Sequence, residues 1–136
     1  MADAPSMLLK SALVFAGAGS GGLLRYGVGL AFLRWFGDGF PFGTLFINVS
    51  GCLVVGFLTV MWLGATPIRE ELRMLVLVGV LGGYTTFSTF GHDTLKLTAG
   101  GDWIRASTYV LASVVLSLIA TFAGAAIAQR LQGTNQ

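Results

Sequence analysis

The chain carries little charge. Asp, Glu, Lys and Arg together make up 10% of its 136 residues, whereas soluble domains carry about 25% charged residues. Such a chain has too little polar surface to cover a core in water. Its net charge is only +2 and its eight basic residues are scattered, so nothing indicates a nucleic-acid partner. The composition is typical of a protein surrounded by a lipid bilayer.

Cysteine and histidine are equally scarce. The one cysteine, Cys52, lies in an apolar run, so an intrachain disulfide is excluded and no redox compartment is indicated. The one histidine and the six acids have no spacing that resembles a metal-ligand cluster. We therefore expect neither a disulfide nor a metal site built from side chains.

Hydrophobic residues, in contrast, make up 54% of the chain, and its mean hydropathy is +0.79. A helix needs about 20 mostly apolar residues to cross a bilayer. Four segments qualify, at residues 7–32, 43–63, 71–97 and 103–129. Because every connection between them is short, we predict an all-α membrane protein with one domain, residues 1–136, and four antiparallel transmembrane helices. We expect the first segment to be retained rather than cleaved as a signal peptide.

Chemical signals mark the ends of these segments. Trp35, Trp62 and Trp103 fall at boundaries, where an indole can lie among lipid headgroups. Thr66-Pro67 is typical of a helix start, and Asp102 is placed to cap the fourth helix.

The distribution of positive charge gives no clear orientation. With four spans, one side carries Lys10, Arg69, Arg73 and Arg130, the other carries Arg34, Lys96 and Arg105, and Arg25 lies within the first span. Four against three is not a bias under the positive-inside rule. The chain could therefore insert either way up, which would permit an antiparallel homodimer, although loop boundaries shifted by a few residues would change the count.

Polar residues in the fourth span recur every four positions and so share one helical face. They are Tyr109, Ser113, Ser117 and Thr121. Two explanations remain open from the sequence alone. The hydroxyls either bond back to carbonyls of their own helix or form a polar track.

The second and first spans also contain polar groups. Asn48 lies one turn after Thr44, and an intramembrane Asn acts either as interhelical glue or as a substrate ligand. Arg25 follows a glycine-rich stretch whose small residues suit close helix packing. Arg25 either snorkels to the interface or supplies a fixed positive charge that attracts anions.

The third span contains the stretch LGGYTTFSTFG, residues 81–91. About 20 Å of helix precedes its two adjacent glycines, which is short of the ~30 Å hydrocarbon thickness. We therefore predict a helix broken near the midplane, a feature that commonly binds ions. Phe87 and Phe90 follow on one face, with Ser88 and Thr89 between them. The two rings either pack in a core or present their positive edges to an anion.

The motifs resemble those of the Fluc/CrcB family of fluoride channels. The resemblance covers nearly the whole chain and rests on GGLLRYG (residues 21–27), GTLFINVSG (43–51), GGYTTFSTF (82–90) and the serines of the fourth span. The chain departs from the family pattern at residues 91–93, GHD, where a Ser and then a Glu are expected, although Asp93 keeps the charge.

The resemblance implies a passive fluoride channel rather than an enzyme, in a bacterial inner membrane. It implies a dual-topology homodimer with two pores, each built from both subunits, and Arg25 at an aqueous vestibule. It also implies a structural Na⁺ at the dimer centre, held by the carbonyls of Gly82 and Thr85. The implied fluoride-binding and pore residues are Asn48, Phe87, Phe90, Ser88, Thr89, Ser113, Ser117, Tyr109 and Thr44.

Two other functions compete with this interpretation. A small dual-topology drug/proton exchanger would need a membrane-embedded carboxylate, whereas the first span has none and the six acids fall near span ends or in loops. A non-transporting assembly subunit would use its small residues for packing alone, and it would tolerate Phe90→Ile.

Overall fold

The computed structural model describes residues 6–63 and 69–133, and every regular element in these ranges is helical. Thr66-Pro67 lies outside them. The elements are α1 (Met7–Phe36), α2 (Phe42–Leu63), α3 (Glu70–Arg73), a π-helical segment (Met74–Leu81), α4 (Gly82–Tyr84), α5 (Phe87–Ala99) and α6 (Trp103–Gly133).

Four helical stretches are long and apolar enough to cross a membrane: Met7–Phe36, Phe42–Leu63, Glu70–Ala99 and Trp103–Gly133. The prediction of an all-α membrane protein with four long apolar helices is confirmed. The first and last stretches extend beyond residues 32 and 129, where the sequence places their predicted ends.

Local chemistry accounts for the ends of the helices. The Ser6 hydroxyl accepts a hydrogen bond from the Leu9 N–H at the start of α1, and Gly37, with φ of +72°, ends this helix. Such a positive φ strains residues that have a Cβ, so glycine suits the position. The predicted cap at Asp102 is confirmed, because its carboxylate accepts from the Arg105 N–H at 3.1 Å.

The winding of the third stretch differs from the expected α-helix. The Gly82 N–H donates to the Leu77 carbonyl five residues earlier as well as to the Gly79 carbonyl, and the preceding eight residues are π-helical. Alternate positions in this segment are valines, which lose side-chain freedom in an α-helix. Its glycine, Gly79, also packs directly on the backbone of α1 at Gly17.

Glycines let the helices approach in two pairs. A Cβ added at Gly17 would meet the Leu75 carbonyl, and one added at Gly21 would meet the Val80 carbonyl, so α1 packs tightly on the third stretch. In the same way, a Cβ at Gly124 of α6 would meet the Leu53 carbonyl of α2. The expectation that small residues serve close packing is confirmed at these positions.

Much of the apolar surface is uncovered in a single chain. Phe15, Ile104 and Phe122 are 84%, 83% and 72% exposed, whereas Tyr109 is fully buried between helices. Exposed apolar patches of this extent mark contact with lipid or with another protein.

Candidate functional site

Two extended residues interrupt the third stretch. α4 ends at Tyr84, Thr85 has ψ of 156°, and Thr86 has φ of −154° and ψ of 118° before α5 begins. Asn48 of α2 binds both backbone groups of Thr86: its amide Nδ2 donates to the Thr86 carbonyl at 3.0 Å, and its Oδ1 accepts from the Thr86 N–H at 2.8 Å. One amide hydrogen of Asn48 is thus used inside the protein, which leaves one for another acceptor.

Two backbone N–H groups near the interruption donate to side chains instead of to the carbonyls that they would meet in a continuous helix. The usual helical partner of the Gly82 carbonyl is the Thr86 N–H, which donates to Asn48. The usual partner of the Thr85 carbonyl is the Thr89 N–H, which donates instead to the Thr86 hydroxyl at 3.2 Å. Both carbonyls at the interruption therefore lack their helical donors, and such oxygens suit a hard cation.

A cavity of about 320 Å³, here called the inner cavity, opens beside the interruption. Its wall includes six of the predicted residues and four others. The predicted ones are Asn48, Thr85, Phe87, Phe90, Ser113 and Ser117, and the others are Cys52, Thr86, Val114 and Leu118. The inner cavity thus combines neutral hydrogen donors with two phenylalanine rings and has no charged residue in its wall.

A second cavity of about 500 Å³, here called the outer cavity, lies toward the connection between α1 and α2. Three predicted residues, Arg25, Thr44 and Thr89, line it. The charged groups Asp38, Asp93 and Lys96 also line it. Both signs of charge are therefore present in a wall that is otherwise largely apolar.

Aromatic rings connect the two cavities. The ring centroids of Phe87 and Phe90 are 5.3 Å apart, those of Phe90 and Tyr109 are also 5.3 Å apart, and Phe40 meets Tyr109 edge-on at 5.7 Å. Tyr109 is therefore both a buried packing residue and the link in this aromatic chain. Phe40, which also lines the outer cavity, has no signal in the sequence beyond its place in a turn.

Asp93 is the site residue that sequence reasoning did not assign. Its carboxylate accepts a hydrogen bond from the Thr44 hydroxyl at 2.7 Å and another from the Tyr109 hydroxyl at 3.3 Å. It joins α2, α5 and α6 in the wall of the outer cavity. The departure from the family pattern at residues 91–93 was the available signal, whereas His92, one residue earlier, is exposed.

The remaining predicted residues lie at the margins. Ser88 is exposed and lines neither cavity, although its hydroxyl lies 3.3 Å from that of Thr86. In the fourth-span stripe, the Thr121 hydroxyl donates to the Ser117 carbonyl of its own helix at 2.9 Å. Ser113 differs, because its buried Oγ has no partner among residues 6–63 and 69–133. Back-bonding within the helix is thus confirmed for Thr121, and the polar track stays a prediction.

Comparison with known proteins identifies the family. The family model described as "CrcB-like protein, Camphor Resistance (CrcB)" matches residues 12–125. The chain belongs to the CrcB family. It is 46% identical over 125 residues to the fluoride-specific ion channel FluC of Methylococcus capsulatus, covering 92% of this chain but 55% of that relative.

Two further CrcB relatives match over nearly their whole lengths. The fluoride-specific ion channel FluC of Rhizobium meliloti is 45% identical over 115 residues, which cover 85% of this chain and 92% of the relative. That of Chloroflexus aurantiacus is 40% identical over 117 residues, which cover 86% and 93%. The CrcB relatives are named as ion channels and not as enzymes, and four long apolar helices make this chain a multi-pass membrane protein.

Proposed function

We propose that this protein is a fluoride channel that exports fluoride passively across a bacterial plasma membrane. The observation that carries the proposal is the inner cavity, in which neutral donors and phenyl rims from three helices face one space. The choice of fluoride as the ion comes from the relatives, which are named as fluoride-specific ion channels.

The physical argument starts from the hydration that fluoride loses. Moving an isolated ion into a medium of low dielectric costs tens of kcal/mol, and one hydrogen bond to an ion contributes only about 1.5–3 kcal/mol net. Several donors must therefore act together, and Asn48, Ser113 and Ser117 provide them beside the edges of Phe87 and Phe90. None of these groups is a strong cation, so the ion is bound and can still leave.

The outer cavity forms the entrance in this proposal. Arg25 supplies a fixed positive charge that attracts anions, and Thr44, Thr89 and Tyr109 continue the polar track toward the inner cavity. Of these three, Thr89 keeps its hydroxyl hydrogen for the anion, because the Thr44 and Tyr109 hydroxyls donate to Asp93. Asp93 holds Thr44 and Tyr109 in place through its two hydrogen bonds. Ser88 is exposed in the single chain, and it would line the pore once a second subunit covers it.

We propose that two antiparallel copies complete two such pores. Phe87 is 82% exposed in the single chain, which suits a ring that a partner subunit covers. Arg25 shares the outer cavity with Lys96, so it belongs to the end of the molecule that carries Arg34 and Arg105. The charge count then becomes four on each side and leaves no orientation bias. The basic residues on one side are Lys10, Arg69, Arg73 and Arg130, and those on the other side are Arg25, Arg34, Lys96 and Arg105.

A structural Na⁺ fits the interruption of the third span, which we place near the bilayer midplane. The Gly82 and Thr85 carbonyls would hold it, since both lack their helical donors. When bound, the cation would neutralise carbonyl dipoles where two subunits meet. Asn48 would support this site by holding the backbone extended at Thr86 through its two hydrogen bonds.

Flux from liposomes tests the proposed function. Purified protein is reconstituted into vesicles loaded with fluoride or with chloride, and release is followed with ion-selective electrodes while a potential is imposed. We expect release of fluoride and not of chloride. Equal release of both ions would refute the selectivity, and fluoride release that required a proton gradient would favour the exchanger.

A further inference from the structure

The inner cavity contains a reactive group that the proposed function does not use. Cys52 lies one helical turn after Asn48 on α2 and is half-buried. Its side chain lines the same cavity as Ser113 and Ser117 of α6. It is the only cysteine in the chain, so any thiol chemistry of the protein occurs at this wall.

An independent feature of this wall points to a ligand site. Ser113 is only 6% exposed, and its Oγ has no hydrogen-bond partner among the described residues. Native structures rarely leave a buried hydroxyl unpaired, because desolvation without a partner is unfavourable. The Ser113 hydroxyl is therefore available to a ligand in the cavity whose wall it lines, and the Cys52 thiol lies on the wall of that same space.

We propose that Cys52 is a modification site in the ion pathway, and that small alkanethiosulfonates modify it and close the channel. The thiolate attacks the sulfenyl sulfur of the reagent, a new S–S bond forms, and the S–S bond to the sulfonyl group breaks. Methanesulfinate leaves with the electron pair, and the thiol proton goes to solvent. The added chain then fills the space between α2 and α6. This proposal rests on the inner cavity being the fluoride route.

Trimethylammonioethyl methanethiosulfonate is the probe. The dimer in detergent is treated at mildly alkaline pH, where ordinary thiols are partly ionised. Intact-mass spectrometry gives the modified fraction, and the protein is then reconstituted for fluoride flux. We expect the flux to be lost in proportion to the modified fraction. Fluoride, and not the same concentration of chloride, should slow the modification.

A displaced thiol provides the matched control. In Cys52→Ser/Val54→Cys the cysteine moves two residues along α2, to a side chain that is 41% exposed and lines neither cavity. We expect this variant to be modified. After modification, its fluoride flux should equal the flux of its untreated sample. Each variant is compared with its untreated sample, so differences in basal rate do not enter.

The outcomes separate this proposal from the proposed function. The proposal is overturned if native protein is fully modified and still conducts, if its thiol stays unmodified while the displaced thiol reacts, or if both proteins lose flux equally. An untreated protein that releases no fluoride would refute the proposed function. The effect of fluoride on the modification rate would then still report whether the cavity binds the ion.

Discussion

At the scale of single residues, Asn48 has a structural task as well as a proposed ligand role. Its amide makes both of its bonds to Thr86 from a neighbouring helix, and these bonds replace those that a continuous helix would make. A buried backbone group left without a partner costs about 1–3 kcal/mol. The asparagine thus stabilises the extended residues from which α5 begins.

Replacing Asn48 with leucine should loosen this junction. Asn48→Leu keeps the branching of the side chain but leaves the Thr86 N–H and carbonyl unpaired, so we expect a stability loss of about 2–6 kcal/mol, from ~1–3 kcal/mol for each of the two groups. Hydrogen exchange at Thr86 and Thr89 should accelerate. Ser20→Ala is the control, because the Ser20 hydroxyl donates to the Ala16 carbonyl within α1. Unchanged exchange at Thr86 would contradict the role.

If the phenyl ring edges bind fluoride, replacing phenylalanine with isoleucine should affect the fluoride flux differently at Phe90 and at Phe122. Phe90→Ile should abolish fluoride flux, because an aliphatic side chain has no positively polarised ring edge. Phe122→Ile should have no effect, since Phe122 is exposed and lines neither cavity. Flux is measured on samples of the two variants that elute at the same volume in size exclusion. Conduction by Phe90→Ile would show that the ring-edge role is wrong.

At the scale of helices, glycine contacts decide how α1 meets the third stretch. Gly21 packs on the backbone at Val80, whereas a Cβ at Gly19 would meet nothing within 4 Å. A methyl group is therefore expected to act very differently at two positions of the same helix.

Alanine at these two glycines tests the contact. Gly21→Ala forces the backbones apart, and overpacking of this kind typically costs about 1–3 kcal/mol. Gly19→Ala should be neutral or slightly stabilising, because glycine within a helix is less favourable than alanine by roughly 0.5–1 kcal/mol. Thermal unfolding in detergent compares the two. Equal melting temperatures would show that the close approach does not contribute to stability.

The sequence predicts the helices better than their details. Hydropathy reveals four apolar stretches because the bilayer requires them, but it does not register the charged last turns that contain Arg34 and Arg130, so α1 and α6 run further than expected. The π-helical winding and the bonds of Asp93 depend on which helix packs opposite. A single sequence does not show directly which helices pack against each other. For the same reason, the place of Cys52 in the wall of the inner cavity is seen only once α2 and α6 are packed.

At the scale of the whole molecule, the balanced charges allow topology to be set by design. Ala99→Lys/Gly100→Lys adds charge to one side, and Thr134→Lys/Asn135→Lys adds it to the other. Each variant alone should insert in a single orientation and lose flux. Coexpression of the two should restore flux.

Accessibility of a terminal tag to protease from each side of the membrane reports the orientation. The native protein should be cut from both sides and each charged variant from one. A charged variant that conducts fully by itself while showing one orientation would exclude the antiparallel pair.

The pairing of helices also has a consequence for synthesis. α1 packs most extensively against the third stretch and α2 against α6, so neither of the first two helices meets its main partner in its immediate successor. While the ribosome is still extending the nascent chain, the glycine seams of α1 and α2 face lipid tails, which offer no driving force for pairing. A chain that stalled after two helices would lack both main contacts, and it would be an easy target for membrane proteases.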